Sequence, residues 1–205
     1  MQVTAQFQLL RSRIESDVPV PAVIFVTSAQ PGDGKSTTAH GLFECLSRVG
    51  HRVVLVNANA EAQVAGGIES GGSANSIIPV QLDDRGASAS RAAISTFVRD
   101  MRDRFDFTIV DGAPFLRSNV AMLLAGVVDG VLLTVRAGRS QTEEDEIMAR
   151  TLDHSKANVL GVVAVTDPCI ADFRASQAVQ YAGETRFLPP SPIGDDIRAN
   201  ASLAL

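Results

Sequence analysis

Short, continuous apolar runs alternate along the chain with stretches whose apolar residues recur at helical spacing. Phe7, Leu10 and Ile14 fall three and four apart, which predicts a helix over 3–14. Residues 18–21 form a linker bounded by proline, and 22–27 (Ala-Val-Ile-Phe-Val-Thr) read as a first strand. A helix follows over 36–49, stopped by Gly50. Further strands are predicted at 52–56, 107–110, 130–135 and 158–165, the first of them a run of the kind buried on both faces. Helices are predicted over 90–105, 118–127 and 142–155. Thr142 is placed to cap the last of these, ahead of Glu143, Glu144 and Asp145. Residues 58–90 are rich in Gly, Ser and Ala, with one short apolar piece at 77–80, and read as mobile surface. A last helix is predicted over 171–181, and the tail from Gly183, with Pro189, Pro190 and Pro192, as irregular.

Strands alternating with helices predict an α/β fold with a doubly wound, mainly parallel sheet flanked by helices. The chain divides into an N-terminal helix (1–17), one α/β domain (18–182) and a tail (183–205). Ligands of such sheets sit beyond the carboxyl ends of the strands. Asn57, Asp111, Asp167 and the segment after the first strand all fall at such ends.

That segment carries the strongest chemistry. Ala29-Gln30-Pro31-Gly32-Asp33-Gly34-Lys35-Ser36-Thr37 lies between a strand and a helix and fits the phosphate-binding loop, with Ala29 where the strict form has its first glycine. Gly32 and Gly34 let successive N–H groups curl into an anion nest, and the helix beginning near Ser36 adds its positive end. Lys35 would reach the β- and γ-phosphates of ATP or ADP, and the Ser36 hydroxyl would ligate Mg²⁺. Phe107-Thr108-Ile109-Val110-Asp111 has the form of the second metal-side carboxylate, although many ordinary strands also end in Asp. Asp167 either accepts hydrogen bonds from a purine amino group or caps the next turn.

Composition trims the alternatives. With 205 residues, 45% of them hydrophobic and 20% charged, the chain has the make-up of one soluble domain. A net charge of -5 gives no electrostatic case for nucleic acid. Arg99, Arg102 and Arg104 interleave with Asp100, Asp103 and Asp106 and read as a solvated helix face. Cys45 and Cys169 follow no metal-ligand spacing, and Cys45 reads as a core residue; a reducing cytoplasm fits. His40, His51 and His154 show no ligand spacing either. Neither a signal peptide nor a membrane span is predicted, so action at a membrane would require recruitment to the inner face by another chain.

Several segments resemble the cytoplasmic tyrosine-kinase domain of bacterial capsule and exopolysaccharide systems, built on a ParA/MinD-like P-loop fold. They are Val26 to Thr38 with the phosphate loop, Phe105-Asp106-Phe107-Thr108-Ile109-Val110-Asp111-Gly112-Ala113-Pro114, Val128 to Gly138, and Asn158-Val159-Leu160-Gly161-Val162-Val163. The N-terminal helix also resembles the family's first helix. Gln30 stands where the ParA and MinD branch has a lysine, which favours the exopolysaccharide branch. The resemblance implies ATP or ADP with Mg²⁺ as cofactors, Lys35 and Asp111 as catalytic candidates, and Ser36 and Asp111 on the metal side. It also implies a membrane-bound polysaccharide synthase or copolymerase chain as partner, and possible homo-oligomers.

The departures weaken the case for catalysis. The family's Asp-x-Asp-x-Arg after the second strand is here Asn57-Ala58-Asn59-Ala60-Glu61. An amide can coordinate through oxygen but cannot act as a base near neutral pH; alternatively, Asn57 and Asn59 are ordinary strand-end turn residues. Of the family's Glu-x-x-Arg-x-x-Arg in the first helix, only Arg11 remains beside Ala5 and Gln8, and the terminal tyrosine cluster is reduced to Tyr181. The expectation is an ATP- or ADP-binding, kinase-like protein of exopolysaccharide or cellulose export, regulatory and with weak or no kinase activity. The alternatives are an active protein-tyrosine kinase or ATPase of the capsule type, and a ParA-like positioning ATPase.

Overall fold

The computed structural model describes residues 5–58, 76–79, 91–166 and 186–188. Asn59, Asp167, Cys169, Tyr181 and the helix expected over 171–181 lie outside them.

A seven-stranded sheet forms the centre, in the order β3-β2-β4-β1-β5-β6-β7. Its strands are β1 (Ala22–Thr27), β2 (Val53–Asn57), β3 (Ser76–Pro79), β4 (Phe107–Asp111), β5 (Gly130–Arg136), β6 (Val159–Val165) and β7 (Arg186–Leu188). The first six are parallel and β7 runs antiparallel to β6. The helices are α1 (Ala5–Asp17), α2 (Lys35–Arg48), α3 (Arg91–Arg104), α4 (Asn119–Ala125) and α5 (Glu143–His154).

The pleat of β1 shows why the sheet is wound on both faces. All six of its residues are buried. Ile24 and Val26 join α1 and α2 in one core, with Leu10, Ile14, Leu42 and Leu46. Val23 and Phe25 join α3, α4 and α5 in the other, with Val98, Leu124 and Leu152. Alternate side chains of a strand point to opposite faces, so a continuous apolar run is satisfied only when helices cover both. The first core holds α1 close: a Cβ at Gly41 of α2 would fall 2.3 Å from the Phe7 ring. Cys45 is buried there, as its place in the helix predicts.

Two stretches expected to be irregular contribute strands. Ser76–Pro79 of the Gly/Ser-rich stretch pairs in parallel with β2 at one edge, and Arg186–Leu188 of the tail pairs with β6 at the other. Both are too short to show a period, and their pairing comes from the neighbouring strand's free backbone groups. Nor is the basic cluster of α3 wholly solvated. Arg102 donates from Nε and Nη2 to the two oxygens of Asp129 at 2.9 and 2.7 Å, and Asp129 also accepts from the Val23 backbone N–H at 2.7 Å. The helix face is thereby tied to the start of β1. Among the described residues, no helix is long and apolar enough to cross a membrane.

Candidate functional site

From β1 the chain steps outward to β2 and β3, then returns to β4 and crosses to β5 and β6. The direction of winding reverses at β1 and β4, and the crevice beyond their carboxyl ends is where such sheets hold ligands. Backbone bonds fix its floor: Gly112 N–H donates to Val26 O at 3.1 Å, Ala58 N–H to Asp111 O at 2.9 Å and Phe115 N–H to Ser28 O at 2.8 Å. Asp111 lies in register between Val26 of β1 and Asn57 of β2. The structure thus brings together the phosphate loop, Asn57 and Asp111, three of the four strand-end features that the sequence points to.

The loop turns on two left-handed glycines, Gly32 at φ +80° and Gly34 at φ +88°, which an L side chain rarely adopts. Thr38 N–H then bonds Gly34 O at 2.9 Å and α2 begins. Pro31, Gly32, Ser36 and Thr37 are exposed along the crevice, Gln30 is half-buried, and Asp33 and Lys35 are buried. Lys35 Nζ donates to Ser28 Oγ at 3.1 Å and to Gln30 O at 3.4 Å. Burial pushes the Lys35 ammonium below its usual range, while the carboxylates of Asp111 and Asp33 pull it back up.

Asp111 is 3% exposed, and its Oδ1 has no hydrogen-bond partner. Burial raises its pKa above the usual carboxylate range, against the pull of the neighbouring Ser36 hydroxyl and the charge of Lys35. A buried carboxylate oxygen without a donor is a costly group by itself and suits a cation or its hydration shell. Ser36 and Asp111 together therefore fit a hard cation such as Mg²⁺. Asn57, directly across from Asp111, adds an amide where a second carboxylate would double the negative charge.

Sequence reading missed the groups that anchor the loop from the far side. Arg139, in the turn after β5, donates from Nε and Nη2 to the two oxygens of Asp33 at 3.1 and 3.0 Å. The same guanidinium donates from Nη1 and Nη2 to Asp145 at 2.6 Å each. Asp145 in turn closes a capping box with Thr142, accepting from the Thr142 N–H at 2.8 Å. Burial would raise the Asp145 pKa, but the bonds from Arg139 and from both the backbone and hydroxyl of Thr142 outweigh it and hold the carboxyl below its usual range. The bonds to Asp145 and Asp33 likewise raise the pKa of Arg139. Gln30 Nε2 adds a second link, to Glu144 Oε2. The one signal for Arg139 in the sequence is its place: a cation just past the carboxyl end of β5, the strand that pairs with the loop's own β1.

No family model matches the chain. Among curated proteins it is 22% identical over 184 residues to the tyrosine-protein kinase CpsD of Streptococcus agalactiae, covering 77% of this chain and 79% of that one. It is 24% identical over 187 residues to the tyrosine-protein kinase YwqD of Bacillus subtilis, covering 77% and 78%. The chain's relatives are bacterial tyrosine-protein kinases on a ParA/MinD-like P-loop fold. Among solved structures, the kinase domain of Escherichia coli tyrosine kinase ETK superposes with a TM-score of 0.61 at 18% identity, covering 85% of this chain and 76% of that one. The cobyrinic acid a,c-diamide synthase of Mycobacterium smegmatis, with an ATP analog and magnesium bound, gives 0.56 at 19% identity, covering 70% and 72%. The first of these is a kinase and the second a synthase, so the fold they share with this chain does not by itself name a reaction.

Proposed function

We propose that the chain is a nucleotide-binding, kinase-like regulator of exopolysaccharide or cellulose export, with weak or no kinase activity. The observation that carries this reading is the register of β2 against β4: Asn57 lies beside Asp111 at the end of the neighbouring strand, on the crevice that carries the phosphate loop. The loop glycines, Lys35 and the positive end of α2 suit a di- or triphosphate. Gln30, Pro31, Gly32, Asp33, Gly34, Lys35, Ser36 and Thr37 form the phosphate side, and Asp167 would lie toward the base. When bound, Mg²⁺ would offset phosphate charge, and Ser36 and Asp111 are the residues that would hold it. Asn57 cannot take a proton from an attacking hydroxyl near neutral pH, so binding outlasts transfer. Such a protein would work in the cytoplasm, brought to the membrane by a polysaccharide synthase or copolymerase chain.

Isothermal titration with ATP and ADP, with and without Mg²⁺, tests the first half. Wild type binds, and Lys35→Ala does not; absence of binding by wild type sinks the reading. Radiolabelled autophosphorylation tests the second half. The relatives' names favour the rival, an active tyrosine kinase. Wild type should take up little label and Asn57→Asp more. Strong labelling of Tyr181 that Asn57→Asp leaves unchanged would establish the rival.

A further inference from the structure

An acid inside a phosphate loop is an electrostatic problem. Asp33 stands between the two left-handed glycines, in the turn that must receive a polyanion. Its side chain is 3% exposed, so water screens it poorly. Arg139 resolves this by geometry. Its guanidinium forks onto both oxygens of Asp33 and, from its other edge, onto both oxygens of Asp145 at the start of α5. The arginine is 20% exposed and Asp145 11%, so the bridge is sheltered over its whole length. Its far end is rigid, because Asp145 belongs to the capping box of α5 and Glu144 beside it holds Gln30.

We infer that Arg139 is a positioning residue for nucleotide binding: it neutralises Asp33 and turns that carboxylate away from the cradle, so that the loop can accept phosphate. The inference rests on the proposal that the loop binds nucleotide. Arginine suits the task because its planar fork can serve two carboxylates at once, which a lysine ammonium cannot. Without it, a buried carboxylate would remain within the loop and repel each added phosphate charge.

The test is ADP and ATP titration of the full chain as wild type, Arg139→Ala, and Arg139→Ala with Asp33→Asn, each first checked for folding by circular dichroism. Arg139→Ala should bind ATP about tenfold or more weakly, a change worth about 1.4 kcal/mol. The loss should be smaller for ADP and, because the carboxylate is buried, should change little with salt. Adding Asp33→Asn removes the offending charge and should restore most of the affinity. A merely structural arginine predicts the opposite, since the double variant has lost both ends of the same bridge. Should Arg139→Ala not fold, Arg139→Gln gives the same comparison with and without Asp33→Asn. Equal affinity of wild type and the single variant, or no recovery in the double variant, overturns the inference alone. A wild type that binds neither nucleotide overturns the site reading and this inference with it.

Discussion

Replacing Gly34 with alanine asks how strictly the crevice prescribes the loop's shape. The residue holds φ +88°, a conformation that costs an L-residue about 1–2 kcal/mol. The added methyl would also stand 2.7, 2.8 and 2.9 Å from the Cγ2, Cγ1 and Cβ of Val165. Valine is stiff at χ1 and its Cβ moves only with the backbone of β6, so rotation cannot clear all three contacts. Overpacking of this kind costs about 1–3 kcal/mol. The two effects sum to about 2–5 kcal/mol, and a domain of this size loses about 2–4 °C of midpoint per kcal/mol. Urea and thermal unfolding of wild type, Gly34→Ala, Val165→Ala and the double variant separate the parts. Val165→Ala removes the two Cγ contacts and leaves the Cβ contact and the backbone part, so the cycle should show a favourable coupling that is a fraction of the about 1–3 kcal/mol steric cost. A Gly34→Ala protein within about 0.5 kcal/mol of wild type, or strictly additive single variants, would refute the reasoning.

Asp129→Ala should destabilise more than Arg102→Ala. The first strands the buried Val23 N–H, at about 1–3 kcal/mol, and also loses the pair with Arg102, whereas the second loses only a half-exposed pair, at about 1 kcal/mol or less; urea unfolding of both ranks them, and equal losses would contradict the geometry. Asp145→Asn tests the acid limb of stability. The folded-state pKa of Asp145 lies below the ordinary 3.8, so its contribution is present above that pH and is lost as acidification protonates the carboxylate. Unfolding midpoints followed from neutral to acid pH should therefore fall less steeply for Asp145→Asn than for wild type below about pH 4.

Much of the fold is legible in the sequence because it rests on local signals. The run 22–27 is β1 to the residue, and Gly50, at φ +96°, stops α2 where the sequence places its end. Thr142 caps α5, with the acids of its first turn in place. Ser118, placed at the start of a helix, accepts from Ala121 N–H as the N-cap of α4. What stayed hidden depends on partners distant along the chain. β3 and β7 exist only as additions to the edges of β2 and β6. Arg139 meets Asp33 across 106 positions and Arg102 meets Asp129 across 27, and neither pairing leaves a periodic trace. The site divides the same way. Lys35 and Asp111 stand out in their motifs, while the orphaned Oδ1 of Asp111 and the fork of Arg139 emerge only from packing.

The seating of Phe7 over Gly41 bears on how this protein can be handled. Helix α1 is not a free arm: its inward residues Phe7, Leu10 and Ile14 sit in the same core as Leu42, Cys45 and Leu46 of α2. Trimming the chain back to β1, a natural choice for a minimal nucleotide-binding fragment, would uncover an apolar stripe along α2. It would also open the Cys45 thiol to air, in a position that invites disulfide-linked dimers and slow oxidative loss. Dimers seen in such a fragment would report the missing helix rather than the protein's own assembly.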